Sequence, residues 1–493
     1  MADQKPSRKE EVMGVLDDRN LVAREKRNST ITAYYGQVEN LRQDLEAIDI
    51  RQRIRTFSQT TSDELLVALD LLSTIQNIAI VVQGVIGCCA SLIGYQFRNE
   101  RQYKNEGDIT NVKSTWYSTN LDERDTIMGG DEKLRTVIER AYHEQKPKVI
   151  FVVGTSVVAI NNDDMTSVIT ELQEELQIPI ILINTDGFKT KAGINGSDIV
   201  LHGIGRYLIS QSQINTDNQI RQINIISSTL NYKTKKEVQC VFNKLGLQAN
   251  VIPAYATIDE IQMANQSIAS MALNSGEAEI LLQGLEERGI PVINAPAPIG
   301  TKAIREWLHE LGKYIEIQDT VESFIQEEEK EVQSYISNQP LKGEKVYIDL
   351  PASLVASTVE LIEDLGGEVV GITIPFVDAN NKESLRNLKK EVYVQVGDGQ
   401  LFELANIFTK NQVTYYISEQ AKGDFAVKQG VIPVPIGNKD IFFYQGIKTF
   451  VDSIHRAERS VSYSRHISEE AVSPYAKAWT KKSTNWYIKQ EVK

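Results

Sequence analysis

The sequence predicts an α/β protein of three doubly wound, Rossmann-like domains, each built on a parallel sheet. Two observations predict the class and a third divides the chain. Short apolar segments recur from residue 78 onward: IAIVV (78–82), KVIFVV (148–153), IPIILIN (178–184), INIIS (223–227), NVIPA (250–254), IPVINA (290–295), KVYIDL (345–350), EVVGITI (368–374), VTYYIS (413–418) and VIPVPIG (431–437). Nearly all are continuous β-branched runs rather than alternating ones, which is how strands read when helices cover both faces of a parallel sheet. Amphipathic helical stretches separate them, as in successive βαβ units. The dividing observation is a weak internal repeat. RQINIISSTLNYKTKKEVQCVFNKLGLQANVIP (221–253) and EKVYIDLPASLVASTVELIEDLGGEVVGITIP (344–375) share one plan: strand, turn, amphipathic helix closing on Leu-Gly, second strand. Each can open its own domain, which puts boundaries near 216 and 341.

The elements follow in order. Residues 1–50 are charged and helix-prone, carry no strand signal, and read as a helical N-terminal extension. Domain I spans 51–215 and carries two adjacent cysteines, domain II spans 216–340, and domain III spans 341–455. The acidic helix EEEKEVQSYISNQ (327–339) bridges the last two domains. The aromatic-rich tail 456–493 follows no β/α pattern and docks on the chain's own body or on a partner.

Bulk properties exclude several classes. With 493 residues and 41% hydrophobic content the chain can bury full cores. A net charge of −13 argues against nucleic acid or anionic lipid as the main partner. Three cysteines suit a reducing cytoplasm, and the first twenty residues have no apolar core of a signal peptide. The longest apolar region, 65–93, is interrupted by Asp70, Gln76, Asn77 and Gln83. That leaves no run of about 18 to 20 residues, so no membrane span is expected. The expected location is the cytoplasm. No GxxxxGK[ST] loop occurs, so any ATP dependence belongs to a separate partner.

The most distinctive stretch is VVQGVIGCC (81–89). Cys88 and Cys89 follow a Gly84-Val85-Ile86-Gly87 turn at the carboxyl end of an apolar strand, where open α/β sheets bind ligands. Three cysteines build neither a disulfide framework nor a four-cysteine metal site. Cys88 reads either as a ligand completed by another chain or as a small buried thiol, since free cysteine packs as an apolar residue. Cys89 points to the other side of the turn and reads as core. Cys240, within the helix KKEVQCVFNKLG, also reads as core. Asp163 and Asp164 follow a strand and cap the next helix. Met128-Gly129-Gly130 is a tight turn without a phosphate-binding pattern. The five histidines (143, 202, 309, 455 and 466) lack metal-ligand spacing, and solvent-facing helix positions account for most of them.

Four blocks together carry a family resemblance. VVQGVIGCC resembles the HGPxGC turn of nitrogenase component 1 and its relatives. STNLDERDTIMGGDEKL (118–134) resembles the T-x-L-x-E-x-D-x-x-F-G-G-x-x-K-L segment that follows it. FVVGTSVVAINNDDMTSV (151–168) is similar to the family's strand and TC…IGDD loop, and INTDGFKTKAGINGSD (183–198) to EGFxG…G. The resemblance implies three β/α domains and an iron–sulfur cluster of the 4Fe–4S type held at the interface with a homologous subunit. It also implies electrons supplied by an ATP-dependent iron–sulfur reductase protein. Thiolates are the ligands such clusters need, and glycines let the backbone approach closely. By this resemblance Cys88 is the metal ligand, and Gly84, Gly87 and Ser156 are cofactor-binding positions.

The departures restrict that implication. The cysteine of TC is Ser156, the upstream ligand position falls in FSQTTSDE at Ser58 or Ser62, and the histidine of HGP is Gln83. Asn274 or a neighbour stands where the family's large cofactor finds its cysteine, and residues 417–446 contain no histidine. No molybdenum–iron-type cofactor is therefore expected on this chain. The expected function is a subunit of a nitrogenase-like reductase paired with a cysteine-richer homologue. The alternatives are a cofactor-assembly scaffold subunit and a degenerate, non-catalytic structural partner. The catalytic residues and the substrate are not legible.

Overall fold

The computed structural model describes residues 14–16, 21–47, 63–108, 114–210, 221–381, 383–386, 388–397, 401–419, 422–436 and 440–471. Thirteen strands among them form three sheets. The first strand, β1 (Tyr34–Gln37), lies far from its neighbours in sequence. Then β2 (Ile78–Gln83), β3 (Thr115–Ser118), β4 (Val149–Gly154) and β5 (Ile180–Asn184) form a parallel sheet in the order β3-β2-β4-β5. Next, β6 (Gln222–Ser227), β7 (Gln248–Pro253) and β8 (Ala269–Ala272) form a parallel sheet ordered β7-β6-β8. Finally β9 (Lys345–Asp349), β10 (Glu368–Ile374), β11 (Tyr393–Val396), β12 (Tyr415–Ser418) and β13 (Ile432–Pro435) join β1 in the order β1-β11-β10-β9-β12-β13. That sheet is parallel except for β1.

Two-sided burial explains the continuous apolar strands. Ile78, Ile80, Val82, Phe151 and Val153 enter one buried cluster, while Ala79, Val81, Ile150 and Val152 enter another on the opposite face. Fully burying a Val or Ile side chain contributes about 1.5–3 kcal/mol, and a continuous run collects this on both faces. The helix Asp131–Gln145 covers one face through Leu134, Ile138 and Ala141 at helical spacing. The helices Glu64–Thr74, Asn195–Ile204 and Ser275–Glu287 bury the other. The last of these belongs with the second sheet, so the first two sheets share core.

The long helix Gln318–Ser337 carries residues 327–337 of the acidic segment and pairs with three other helices. Its Glu328 pairs with Lys244, Glu329 with Arg305 at 2.6 Å, and Glu331 with Lys448 at 2.6 Å. These partners lie on three helices, Tyr232–Lys244, Gly300–Tyr314 and Phe443–Arg459.

Several expectations need correction. The N-terminal segment is not purely helical. Its YYGQ stretch is β1, an antiparallel edge strand in which Tyr34 is wholly buried and Tyr35 stacks on Tyr393 at 5.5 Å. The segment 290–295 makes one isolated bridge, Ser270 to Val292, and no strand. Pro291 lacks the N–H a ladder needs, and Pro296 and Pro298 follow closely. Cys240 is exposed, not core. The buried stripe of its helix runs through Lys235, Val238 and Phe242, and Cys240 sits about 140° round the helix from Lys235. Strands β3, β8 and β11, each of four residues, had no expectation attached. The described C-terminal part ends in the helix Val461–Glu470, and the aromatic tail beyond 471 lies outside the described residues. No helix of the described residues is long and apolar enough to cross a membrane.

Candidate functional site

Strand β2 is buried along its whole length and ends at Gln83, with Gly84 next. A short 3-10 turn, Ile86–Cys89, then leads directly into the helix Ala90–Asn105. The Cys88 N–H donates to the Val85 carbonyl at 3.0 Å, which tightens the turn. The two cysteines are consecutive in a 3-10 turn, so their side chains leave it about 120° apart. Cys89 is wholly buried among Ile80, Val82 and Leu92, and burial raises its thiol pKa even though the Ser118 hydroxyl opposes the shift. It is core. Cys88 is half-buried at the sheet's C-terminal edge.

The two glycines of the turn have different jobs. A Cβ on Gly87 would meet nothing within 4 Å, so the backbone there is open. A Cβ on Gly84 would lie 2.5 Å from Thr155 Oγ1. Gly84 therefore makes room for a side chain of its own protein, Thr155, at the end of the neighbouring strand. Thr155 is buried and donates through Oγ1 to the Gln83 carbonyl at 3.0 Å. Ser156 follows as the first residue of the helix Ser156–Asn161 and is half-buried. Because Gln83 pairs with Gly154 in register, the Cys88 turn and Ser156 leave the sheet on adjacent strands at one edge. Ser58 and Ser62 lie outside the described residues.

The other sequence blocks meet at the same edge. Gln83 is wholly buried, and its Nε2 donates to the Gly130 carbonyl at 3.3 Å and to Asp163 Oδ2 at 3.4 Å. Its Oε1 is buried without a hydrogen-bond partner. A side chain on Gly130 would collide with this amide at 2.6 Å, and Gly129 adopts φ = 96°, so the Gly-Gly turn is required by packing and by backbone conformation. Asp164 caps the helix Met165–Leu176, accepting from the Ser167 amide at 3.1 Å, as expected. Asp163 instead faces Gln83. Asp131 is held above the ordinary carboxyl range, first by burial and then by the charges of Asp163 and Asp164.

A cavity of about 650 Å³ lies along the ends of β4 and β5, lined among others by Thr155, Asp163, Met165, Asn184, Asp186 and Phe188. Burial opposes the charge of Asp186, but Lys189 and the amides of Phe188 and Lys189 hold its pKa below the usual value. Several large apolar side chains are exposed near this edge, among exposed charged neighbours such as Glu123, Arg124 and Lys189. Ile86, Ile93 and Phe97 are exposed on the Cys88 side, and Ile127, Met128, Ile160 and Phe188 on the other, with Ile127 81% and Met128 76% accessible. Ile86, Ile127, Met128, Ile160 and Phe188 lie in the segments that follow the C-terminal ends of β2 to β5, and Ile93 and Phe97 lie in the first two turns of the helix Ala90–Asn105. Sequence reasoning missed Thr155, Phe188 and the exposed apolar side chains, although both residues sit inside quoted blocks, Thr155 between Gly154 and Ser156 and Phe188 directly after Gly187.

Among the described residues no group of three or more His, Cys, Asp and Glu side chains is placed to hold a metal ion. An iron–sulfur cluster at this edge would find one half-buried thiol at Cys88, open backbone at Gly87 and the Ser156 hydroxyl on the next strand. Thiolates are the required donors, so this donor set fits a minority share of a cluster and no more. The residues do not fit a molybdenum–iron-type cofactor. Asn274 is wholly buried, its carbonyl oxygen accepts from the Ser353 hydroxyl, and an amide is no substitute for a thiolate. Four of the five histidines are exposed on helices, whereas His202 is buried.

Comparison with known proteins bears directly on these features. Residues 65–457 match the family model described as nitrogenase component 1 type oxidoreductase. The chain is 26% identical over 322 residues to the nitrogenase iron-molybdenum cofactor biosynthesis protein NifE of Sinorhizobium fredii. That match covers 61% of this chain and 62% of the relative, under two thirds of its length. Identity to the NifE protein of Methanosarcina barkeri is 24% over 408 residues, covering 80% and 86%. Identity to the nitrogenase molybdenum-iron protein alpha chain of Methanococcus maripaludis is 24% over 395 residues, covering 77% and 81%. The solved structure of nitrogenase Cp1 at pH 6.5 shares the fold, with a TM-score of 0.72 at 16% identity over 92% of this chain and 97% of that one. The family match takes in every strand from β2 to β13, including the edge where the four sequence blocks converge, and the chain belongs to the nitrogenase component 1 type oxidoreductases.

Proposed function

We propose that this chain is one subunit of a nitrogenase-like reductase complex in the cytoplasm. Its Cys88 turn faces a cysteine-richer homologous subunit and gives one thiolate to an iron–sulfur cluster shared between them. An ATP-dependent iron–sulfur reductase protein supplies the electrons. The observation that carries this reading is the apolar rim around a half-buried thiol at one sheet edge. Large exposed apolar side chains gathered at one place mark an interaction surface, whereas scattered single ones do not. When bound, the cluster would store and pass single electrons. This chain's own share is to hold one ligand, to keep Gly87 clear for approach, and to fix the turn through the Gly84–Thr155 contact. Ser156 stands at the same edge as a hydroxyl, a hydrogen-bond donor toward a cluster sulfur. A second reading is a cofactor-assembly scaffold subunit, favoured by the relatives named as cofactor biosynthesis proteins. The degenerate structural partner is the remaining one.

The test is anaerobic co-purification with a candidate partner subunit, followed by iron analysis and EPR spectroscopy. Cys88→Ala should lower iron per complex while the two chains still co-purify, and Cys89→Ala should leave iron unchanged. A Cys88→Ala complex with full iron content refutes the ligand role. A wild-type complex that assembles without iron establishes the structural-partner reading. One that hands its cluster to an acceptor without reductase-driven turnover establishes the scaffold reading.

A further inference from the structure

Residues 14–16 and 21–37 touch elements of all three sheets. Leu16 packs against Gly205 and Gly284, where a Cβ would come within 2.6 Å and 2.5 Å of it, and the Val15 amide donates to Glu287 at 2.8 Å. Arg24, only 1% exposed, is the centre of the segment. Its guanidinium reaches Asp198 on the helix Asn195–Ile204 at 3.1 Å, Glu279 on the helix Ser275–Glu287 at 3.3 Å, and Asp378 after β10 at 3.1 Å. It also donates to the Gly276 carbonyl at 3.0 Å and lies over the Phe376 ring. These partners follow β5 of the first sheet, β8 of the second and β10 of the third. A buried guanidinium persists only when its charge is paired and its donors are met, and here that requires all three.

The next residue grips a loop of the candidate site. Glu25 accepts from Thr190 Oγ1 at 2.6 Å, from the Lys191 amide at 2.6 Å and from the Ala192 amide at 3.3 Å. From the other side Glu64 accepts from Asn195 Nδ2 at 2.6 Å and from the Gly187 amide at 3.1 Å. The Arg24 amide donates to Asn195 Oδ1 at 3.1 Å and joins the two grips. The clamped loop carries Phe188, which lines the cavity.

We propose that residues 21–37 form a strap that fixes the three sheets relative to one another and holds the loop after β5 in place. Arg24 is its pin and Glu25 the positioning residue for the loop. This inference stands apart from the cluster and partner reading, since every contact in it lies within the chain.

Hydrogen–deuterium exchange on the full-length chain tests it. In Glu25→Ala, the amides of Lys191 and Ala192 and the loop through Gly187 should exchange about tenfold faster or more, with β2 and β4 unchanged. In Arg24→Lys, faster exchange should appear together in the loop after β5, in residues 276–279 and in residues 376–381. An increase confined to residues 22–30 in either variant, or one that reaches a single sheet in Arg24→Lys, overturns the strap. If Arg24→Lys does not fold, Asn28→Ala takes its place, because Asn28 donates to Glu279 at 2.6 Å. Faster exchange at 276–279 then supports the strap, and a change only within 22–30 overturns it.

Discussion

Gly84→Ala and Gly87→Ala should separate the two jobs of the Cys88 turn. A Cβ at position 84 would sit 2.5 Å from Thr155 Oγ1, 2.8 Å from Cγ2 and 3.2 Å from Cβ. Thr155 cannot step aside cheaply. It is 1% exposed, sits at the end of β4 in register with β2, and donates to the Gln83 carbonyl through both its amide, at 3.3 Å, and its hydroxyl. Forcing a methyl into such a place costs about 1–3 kcal/mol, and losing the hydroxyl bond adds about 1 kcal/mol. At position 87 the new methyl meets nothing within 4 Å, so the fold should change by no more than about 0.5 kcal/mol. Urea denaturation followed by circular dichroism measures both. Thr155→Ala removes the clashing atoms, so the double variant Gly84→Ala/Thr155→Ala should cost less than the sum of the singles by about 1 kcal/mol or more. The reasoning fails if Gly84→Ala is as neutral as Gly87→Ala, or if the double variant is additive. With a partner subunit present the order should invert. Gly87→Ala, neutral for the fold, should weaken association, because its methyl would project into the space that the proposed partner would enter.

Other consequences follow from burial and charge. Maleimide should label Cys240 first, Cys88 second and Cys89 last, since the thiolate is the reactive form and Cys89 is both buried and raised in pKa; mass spectrometry showing Cys89 labelled before Cys88 contradicts the separation of the two thiols. Glu64 has its carboxyl pKa raised, first by burial and further by Asp186 and Glu25, against the bonds from Asn195 and Gly187. The folded state then binds its proton more tightly than the unfolded one, so this contribution to stability is present at low pH and is lost as pH rises through the raised pKa. Glu64→Gln should remove that decline, and parallel stability–pH curves for the two proteins refute it.

The sequence was legible where one face-independent signal was strong. IAIVV and KVIFVV read as strands because each residue finds apolar partners on one face or the other. YYGQ was not legible, since four residues containing a glycine carry no period, and its strand character comes from pairing with β11, about 360 residues away. IPVINA misled for the opposite reason. Its composition is that of a strand, but Pro291 breaks the ladder. Cys240 misled because the apolar stripe of its helix is narrow and includes the aliphatic stem of a buried lysine, Lys235, which shifts the face. At the site, glycine spacing located the turn but not its reason. Gly84 answers to Thr155, seventy-one positions later, and nothing local announces that. The strap was hidden in the same way, because a charged N-terminal stretch reads as solvated until Asp198, Glu279 and Asp378 are brought to one arginine.

The Cys88 turn would keep its shape without any cluster, because Cys89 is anchored in the core and Gly84 is locked onto Thr155. The shape of the turn therefore follows from the chain's own packing. The rim says more. Ile127, Met128 and Ile160 make no contribution to the core of their own chain, and each exposes apolar surface worth about 25 cal/mol per Å² once covered. A chain of net charge −13 has ample polar residues for these positions. Their gathering at the edge where Cys88 emerges is what a covering surface would require, and a partner seated there would also exclude water from the thiol. On the proposed reading, exclusion of water and supply of the further thiolates would fall to one and the same neighbour, so the partner sought first should be a homologous chain with more cysteines at this turn.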